Sequence, residues 1–384
     1  MTNFDSFLQV FKSTDLWANM AATVENSPWH REKNVAVHTE MVLDFYEKNF
    51  AQSRSEKEQM ITRLALLFHD VGKPAAMTAK HSEERGDYFV FAGHEGISAR
   101  LFEDWAMSNK YRLFEVFNLN DEDVRKIRWL IENHLPYDVK NVQKRADFKR
   151  DMMTSLGAEQ LTFFDMLLSD SNGRISDDHA AKLLRVGEWV KEFADVKPSE
   201  LREFSEITPT AWILIGASGS GKSTFQREWL NVGSHNIVTV SLDQYRIDFY
   251  KKQHEGALLS AKEVYANAFN FALANEKEFN KFYQAEFNVV LSKKVNVVVD
   301  NVHASRKSRA SWIAALKQKG YRVIGVEFPI ALQTVLDRQH SRSDKQVPDE
   351  AVRQQYMRIS SPAIGSEVDS LLVFTGLKVF DVES

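Results

Sequence analysis

The spacing of apolar positions changes once along this chain. Residues 34–50, 56–71, 93–109, 121–134, 161–174 and 175–196 each carry apolar residues at every third or fourth position. That is the period of a helix with one buried face. Segment 121–134 opens Asp-Glu-Asp, which places acids in a first helical turn, where the helix dipole favours them. From residue 211 the pattern becomes short, β-branched apolar runs: AWILIG (211–216), NIVTVSLD (236–243), VNVVVDN (295–301), YRVIGVEFP (321–329) and LLVFTG (371–376). Such runs, separated by helical stretches, predict the buried strands of a parallel sheet. Between the two patterns lies KPSELREFSEITPT (197–210), polar and with two prolines, which reads as a linker. The chain is therefore expected to be multidomain: an all-α helical bundle over 1–197, a linker over 198–208, and an α/β domain with a parallel sheet over 209–384. There are no repeats and no low-complexity tract.

Composition narrows the class. The 384 residues are 43% hydrophobic and 27% charged, ordinary for globular protein. With no cysteine, a disulfide scaffold, a thiolate metal site and a cysteine nucleophile are excluded. The opening MTNFDSFLQVFKSTDLW carries acids and no long apolar core, unlike a signal peptide. No apolar run approaches the ~20 residues of a bilayer span, so no membrane partner is expected and a cytoplasmic location is. The net charge of −4 hides an asymmetry: 209–384 holds 22 Lys and Arg against 18 Asp and Glu, the remainder 27 against 35. The mildly basic C-terminal half is too weak a signal to announce nucleic acid by itself.

The most specific motif is Gly216-Ala217-Ser218-Gly219-Ser220-Gly221-Lys222-Ser223-Thr224. It follows a predicted strand and precedes a helix, the context a P-loop requires. Its backbone amides suit phosphate oxygens, Lys222 the β- and γ-phosphates, and Ser223 a Mg²⁺ ion. ATP or another NTP with Mg²⁺ is the implied cofactor. Downstream, Asp243 and Arg246 sit just past the second strand. A carboxylate there can take a proton from an attacking hydroxyl, and an arginine can hold a phosphate bidentately. Asp300 ends the third strand, a position that assists the metal or orients the acceptor. Arg338 and Arg342 stand four apart on a helical stretch, hence on one face, before a polar loop that suits a lid. Taken singly, Asp243 has the helix N-cap as a lesser alternative and the arginines read more often as a solvated face; order and spacing make the set.

On GASGSGKSTF, LDQYR, VDN and DRQHSR followed by VP, residues 209–384 resemble the kinase module of 5′-OH polynucleotide kinases. The resemblance implies Asp243 as general base, Arg246 on the acceptor's adjacent phosphate, and Arg342 with Arg338 as lid arginines on the donor. After Asp300, NVHASRKSR does not align residue for residue, so only Asp300 is carried over.

The first half contains, in order, His38, His69-Asp70, His94, His134 and Asp170. Imidazoles and carboxylates are the donors that hold hydrolytic metal ions. On NVAVHT, LLFHDVGKP, FAGHEG, LIENHLPYD and LLSDSNGR, residues 25–190 resemble the HD phosphohydrolase superfamily. The resemblance implies one metal on His38, His69, Asp70 and Asp170, a second on His94 and His134 with Asp70 bridging, and Lys73 near the substrate phosphate. The ions would be one or two divalent transition metals: Mn, Fe, Co, Ni, Zn or Cu. His30, His81 and His179 lie outside the pattern. Asp165, five residues before Asp170, is the weaker alternative.

Together the modules resemble the bifunctional HD-domain polynucleotide kinases. The resemblance implies phosphorylation of 5′-OH ends of RNA or DNA and removal of 2′,3′-cyclic, 2′- or 3′-terminal phosphates. A separate ligase is implied, because the chain lacks a Lys-x-Asp-Gly motif. A nucleoside or small-metabolite kinase fused to an HD nucleotidase, and a regulatory HD module, remain alternatives.

Overall fold

The computed structural model describes residues 3–26, 31–83, 86–136, 141–176, 179–231, 237–254, 260–342, 347–376 and 378–382. The chain divides into two compact units between Glu200 and Leu201.

The first unit contains helices α1 (Asn3–Phe11), α2 (Asp15–Ala22), α3 (Val35–Asn49), α4 (Glu56–Phe68), α5 (Lys73–Ala76), α6 (His94–Ser108), α7 (Asp121–Glu132), α8 (Val142–Leu156), α9 (Leu161–Asn172) and α10 (His179–Asp195). Two small antiparallel pairs interrupt them: β1 (Val24–Glu25) with β2 (Lys33–Asn34), and β3 (Thr78–Ser82) with β4 (Gly86–Val90). Neither pair was expected from the sequence; two-residue strands and an exposed hairpin leave no apolar periodicity to read. Helix α4 is the centre of the unit. Ser55 and Glu58 close its N-terminus with a capping box, which satisfies two otherwise orphaned donors. Leu64 through Phe68 are all fully buried, and the Phe68 ring lies 4.9 Å from Phe11, 5.3 Å from Phe102 and 5.0 Å from Trp105. The helices α3, α7 and α9 pack around it.

The second unit alternates strand and helix: β5 (Thr210–Ile215), α11 (Lys222–Glu228), β6 (Ile237–Val240), α12 (Leu242–Gln253), α13 (Ala261–Ala274), α14 (Glu276–Ser292), β7 (Asn296–Val299), α15 (Arg306–Gln318), β8 (Arg322–Glu327), α16 (Leu332–His340), α17 (Asp349–Met357), β9 (Ser370–Phe374) and β10 (Val379–Val382). The six strands are ordered β10-β9-β8-β5-β7-β6. All neighbours run parallel except β9 with β10. Strand alternation splits the apolar runs between two cores. Ile213, Ile215, Val297 and Val299 enter one, and Leu214, Val298 and Val326 the other, as helices on both faces demand. The antiparallel β10 was not foreseen, being only four residues long and near the end of the sequence.

Residues of the expected linker are tied down. Ser199 exchanges backbone and side-chain hydrogen bonds with Ala146 and Arg150. Arg202 pairs with Asp369 and lies 4.9 Å over the Phe204 ring.

Candidate functional site

In the first unit six side chains converge from five places on the chain. His38 lies one turn into α3, Asp170 on the last turns of α9, His94 opens α6, and His134 follows α7. His69 and Asp70 were expected on a helix. Instead α4 ends at Phe68, His69 caps it, and Asp70 lies in the turn beyond. The reason is Gly72. Its amide donates to Ser98 Oγ (2.9 Å), and a Cβ there would stand 2.6 Å from His94 O. Only glycine lets this turn press onto α6.

The six form two triplets, His38–His69–Asp170 and Asp70–His94–His134, each with ligand atoms within 4.8 Å of one another and all buried. Asp70 joins them. Its Oδ2 is 3.1 Å from His69 Nε2 and 3.6 Å from His38 Nε2, and its Oδ1 is 3.0 Å from His94 Nε2 and 3.9 Å from His134 Nε2. Asp170 Oδ1 lies 3.1 Å from His38 Nε2. Asp165 is elsewhere, gripped by Arg54 at 2.6 and 2.8 Å.

Three of the imidazoles are oriented by main-chain carbonyls. Nδ1 of His69, His94 and His134 donates to Leu66 O (2.6 Å), Phe91 O (2.7 Å) and Ile131 O (2.8 Å). A carbonyl only accepts, so these Nδ1 atoms carry a proton, and Nε2 is the atom each ring offers as a ligand once it is neutral, as in metal-ligating histidines. Nε2 of His94 faces Nε2 of His134 at 3.3 Å, two lone pairs that repel unless a cation lies between them. Asp70 Oδ1 is buried without a hydrogen bond. The residues therefore fit divalent metal ions.

The electrostatics agree. Burial opposes ionisation of Asp70 and Asp170, but His69 and Lys73 beside the first, and Arg174 and His38 beside the second, hold both well below the usual carboxylate range. Burial lowers His69 too, but Asp70 and Asp170 outweigh it and push it up to about 10. Burial, reinforced by His94 and His69, pushes His134 down to about 3. Lys73 lies at the centre's edge but is spent on carboxylates: its Nζ is 2.7 Å from Asp70 Oδ2 and 2.6 Å from Glu25 Oε1. Sequence reasoning missed Glu25, Glu32, 3.7 Å from His38 Nδ1, and Arg174, 2.6 Å from Asp170. Only Arg174, four residues along the chain from Asp170, left a readable pairing signal. Of the histidines outside the pattern, His30 lies outside the described residues, and exposed His81 pairs with Asp87 at 2.8 Å.

In the second unit the loop 216–221 leaves β5 and turns into α11 through Gly221 at φ 110°, a conformation that costs glycine little. Lys222 Nζ donates to Gly216 O (2.8 Å) and Ala217 O (2.9 Å), and Ser223 is exposed. Neighbouring strands bring the other residues to the same sheet edge. The Asp300 amide donates to Val240 O (2.8 Å) and the Gly216 amide to Val302 O (3.1 Å). Gln226 Nε2 donates to Asp300 Oδ2 (2.9 Å). Asp243 is the second residue of α12, and Ser241, not Asp243, is the N-cap. Its Oδ1 is 2.7 Å from Arg246 Nη1, both side chains partly exposed. Arg338 reaches Gly219 O at 3.3 Å. The shared helical face expected for Arg338 and Arg342 is corrected: α16 ends at His340, and Arg342 stands beyond it, its amide bonded to Gln339 O. Part of the polar loop after Arg342 lies outside the described residues. Sequence reasoning also missed Gln355, whose Oε1 accepts from the Ser218 amide at 3.1 Å, and His303 beneath the loop, whose Nδ1 donates to Leu214 O at 3.2 Å.

Among known proteins, residues 212–362 match the family model described as an AAA domain. Over 147 residues, 38% of this chain, the sequence is 24% identical to a bifunctional polynucleotide kinase/RNA ligase of Autographa californica nuclear polyhedrosis virus, and it spans 20% of that relative's length. Among solved structures, a chain of the Pnkp1/Rnl/Hen1 RNA repair complex is 22% identical, with 42% of this chain and 47% of that chain covered and a TM-score of 0.31. A gluconokinase from Sinorhizobium meliloti 1021 is 17% identical, with 43% and 82% covered and a TM-score of 0.28. Among the described residues no helix is long and apolar enough to cross a membrane. The second unit is thus an α/β P-loop domain with a mostly parallel sheet, similar in sequence to a polynucleotide kinase/RNA ligase.

Proposed function

We propose that the chain is a bifunctional nucleic-acid end-healing enzyme: the second unit phosphorylates 5′-OH ends from an NTP, and the first, as an HD phosphohydrolase, removes 2′,3′-cyclic, 2′- or 3′-terminal phosphates. The observation that carries the kinase half is the Asp243–Arg246 pair at the strand end beside the P-loop; the viral relative's name supports the same acceptor class. In the transfer, the 5′-hydroxyl oxygen bonds to the γ-phosphorus, the bond to the departing NDP breaks, and the hydroxyl proton passes to Asp243 Oδ. Arg246 leaves Asp243 for the phosphate 3′ to the acceptor nucleoside. Lys222 leaves the carbonyls of Gly216 and Ala217 for the donor phosphates, where the amides of the 216–224 loop converge. Ser223 and Asp300 would hold Mg²⁺, which would neutralise charge on the phosphates, and Arg338 and Arg342 would close on the transferring group.

In the first unit His38, His69 and Asp170 would hold one divalent ion, His94 and His134 another, with Asp70 shared. Bound there, the ions would supply an acidified water and clamp the phosphate. The chain's own residues orient the ligands: Leu66, Phe91 and Ile131 fix the imidazoles, Arg174 holds Asp170, and Lys73 holds Asp70 until a substrate phosphate draws it from Glu25. A separate ligase would complete the repair.

The test is a labelled RNA with 5′-OH and 2′,3′-cyclic phosphate ends, supplied with ATP, Mg²⁺ and a panel of Mn, Fe, Co, Ni, Zn and Cu. The proposal expects a new 5′-phosphate and loss of the cyclic phosphate. Phosphorylation of free nucleosides in preference to the RNA would overturn it.

A further inference from the structure

Helix α13 packs along α12 through Ala268, Phe271 and Ala272: the two alanines are buried, and the Phe271 ring is 5.4 Å from Phe249. The flank of that packed face, beside Arg246 of α12, presents Phe269, 44% exposed, and Leu273, 68% exposed. Spaced four apart, they share one helical face, and exposed Ala266 extends it. The Arg246 guanidinium lies 5.2 Å from the Phe269 ring centroid, and Arg246 is in turn paired with Asp243 at 2.7 Å. A carboxylate, a cation and an exposed aromatic ring therefore stand in sequence.

We propose that Phe269 and Leu273 form a seat on which the nucleobase of the acceptor's 5′-terminal nucleotide stacks. The inference rests on the polynucleotide-kinase reading and extends it to a base-bearing strand. The order of groups matches one nucleotide: its 5′-hydroxyl at Asp243, its 3′-phosphate at Arg246, its base at Phe269. Every base has a π-face, so the seat is sequence-tolerant. Two side chains are too small a surface for a stable protein partner, which needs ~800 Å² on each side, but they match the area of a single base. Arg246 plays two parts here, neutralising phosphate and steadying the Phe269 ring by a cation–π contact.

The experiment compares the full chain with Phe269→Ala and Phe269→Trp on two 5′-OH oligonucleotides, identical except that one carries an abasic 5′-terminal nucleotide. For the parent chain the abasic strand is expected to have a KM higher by roughly 5- to 150-fold, the worth of one stacked base. Phe269→Ala should raise KM on the base-bearing strand by that factor, leave the abasic strand unchanged, and keep kcat; Phe269→Trp should restore the preference. Loss of kcat on both strands alike would mean that Phe269 only props Arg246, and would overturn the seat. Equal KM for both strands in the parent chain would overturn it as well while leaving the kinase reading intact. A parent chain that phosphorylates neither strand would overturn both.

Discussion

Asp70 is the residue on which the metal reading of the first unit turns, and Asp70→Asn isolates its charge with little change of shape. In the ion-free protein the substitution weakens a buried contact. Lys73 keeps Glu25 at 2.6 Å but exchanges a carboxylate at 2.7 Å for an amide oxygen. Breaking a buried pair outright costs about 3–5 kcal/mol. Because the amide oxygen still accepts from Lys73, the expected loss is about 3 kcal/mol, the lower end of that range. The larger contrast comes with metal. An ion that binds only the folded state at a hundred times its Kd stabilises by about 2.7 kcal/mol. For a unit of some 200 residues, each kcal/mol moves Tm by about 2–4 °C. The parent chain's first unit should therefore gain roughly 5–11 °C on adding a suitable ion.

The assay is calorimetry of the full chain, chelated and then reloaded with each of Mn, Fe, Co, Ni, Zn and Cu, with phosphate release measured in parallel. Asp70→Asn should lose the metal-dependent rise and the phosphate release, because the oxygens that face both triplets are no longer charged. The kinase should stay near the parent rate, since the P-loop site residues named above all lie in the second unit. A first unit whose melting no ion raises, or an Asp70→Asn chain that keeps the full rise, would refute the two-triplet metal centre.

The second unit yields three further expectations. Asp243→Asn should cut 5′-OH phosphorylation ~10²–10⁴-fold, as loss of a general base does, with ATP binding intact by titration calorimetry; a variant above half the parent rate removes Asp243 from the chemistry. Arg246→Ala should cost roughly 10- to 150-fold in kcat/KM on acceptors bearing a 3′-phosphate, from a charge-assisted contact of ~1.5–3 kcal/mol, and little on a plain nucleoside; equal losses would assign Arg246 to the donor side. Burial pushes His303 down to about 3, whereas an unfolded imidazole takes its proton near pH 6.5. Its contribution is therefore intact above pH 6.5 and is lost as pH falls toward 3, by about 2 kcal/mol at pH 5. Asparagine tolerates the φ of 46° at this position, so His303→Asn should shrink the drop in second-unit Tm between pH 7.5 and pH 5, and an unchanged drop would refute the assignment.

Five of the six strands were legible as short, β-branched apolar runs, β7 and β8 being buried on both faces, and the P-loop because phosphate binding fixes Gly216, Gly221, Lys222 and Ser223 at set spacing. Helices α3, α4, α6, α7, α9 and α10 were legible for a related reason, their one-sided apolar period, whereas α1, α2 and the 15-residue α8 were not read. What the chain did not announce depends on tertiary contact. Glu25 lies on a two-residue strand and reaches Lys73 across 48 positions. Glu32 lies six residues before His38, at no helical spacing from it. Arg342 carries helical spacing from Arg338, but α16 ends two residues before it.

The turn at His69–Asp70 shows how the two levels join. The sequence reads the pair as helix, whereas α4 stops at Phe68 with His69 as its C-cap. Gly72 was part of the motif HDVGKP, yet its reason appears only against Ser98 and His94, where a Cβ has no room. Because the helix stops at Phe68, Asp70 can turn one oxygen toward His69 and the other toward His94. One carboxylate then serves two imidazole clusters brought together from α3, α6, α7 and the end of α4. That geometry is the physical content of the adjacent His-Asp pair: the first residue caps a buried helix, and the second faces one triplet with each oxygen while Lys73 neutralises its Oδ2.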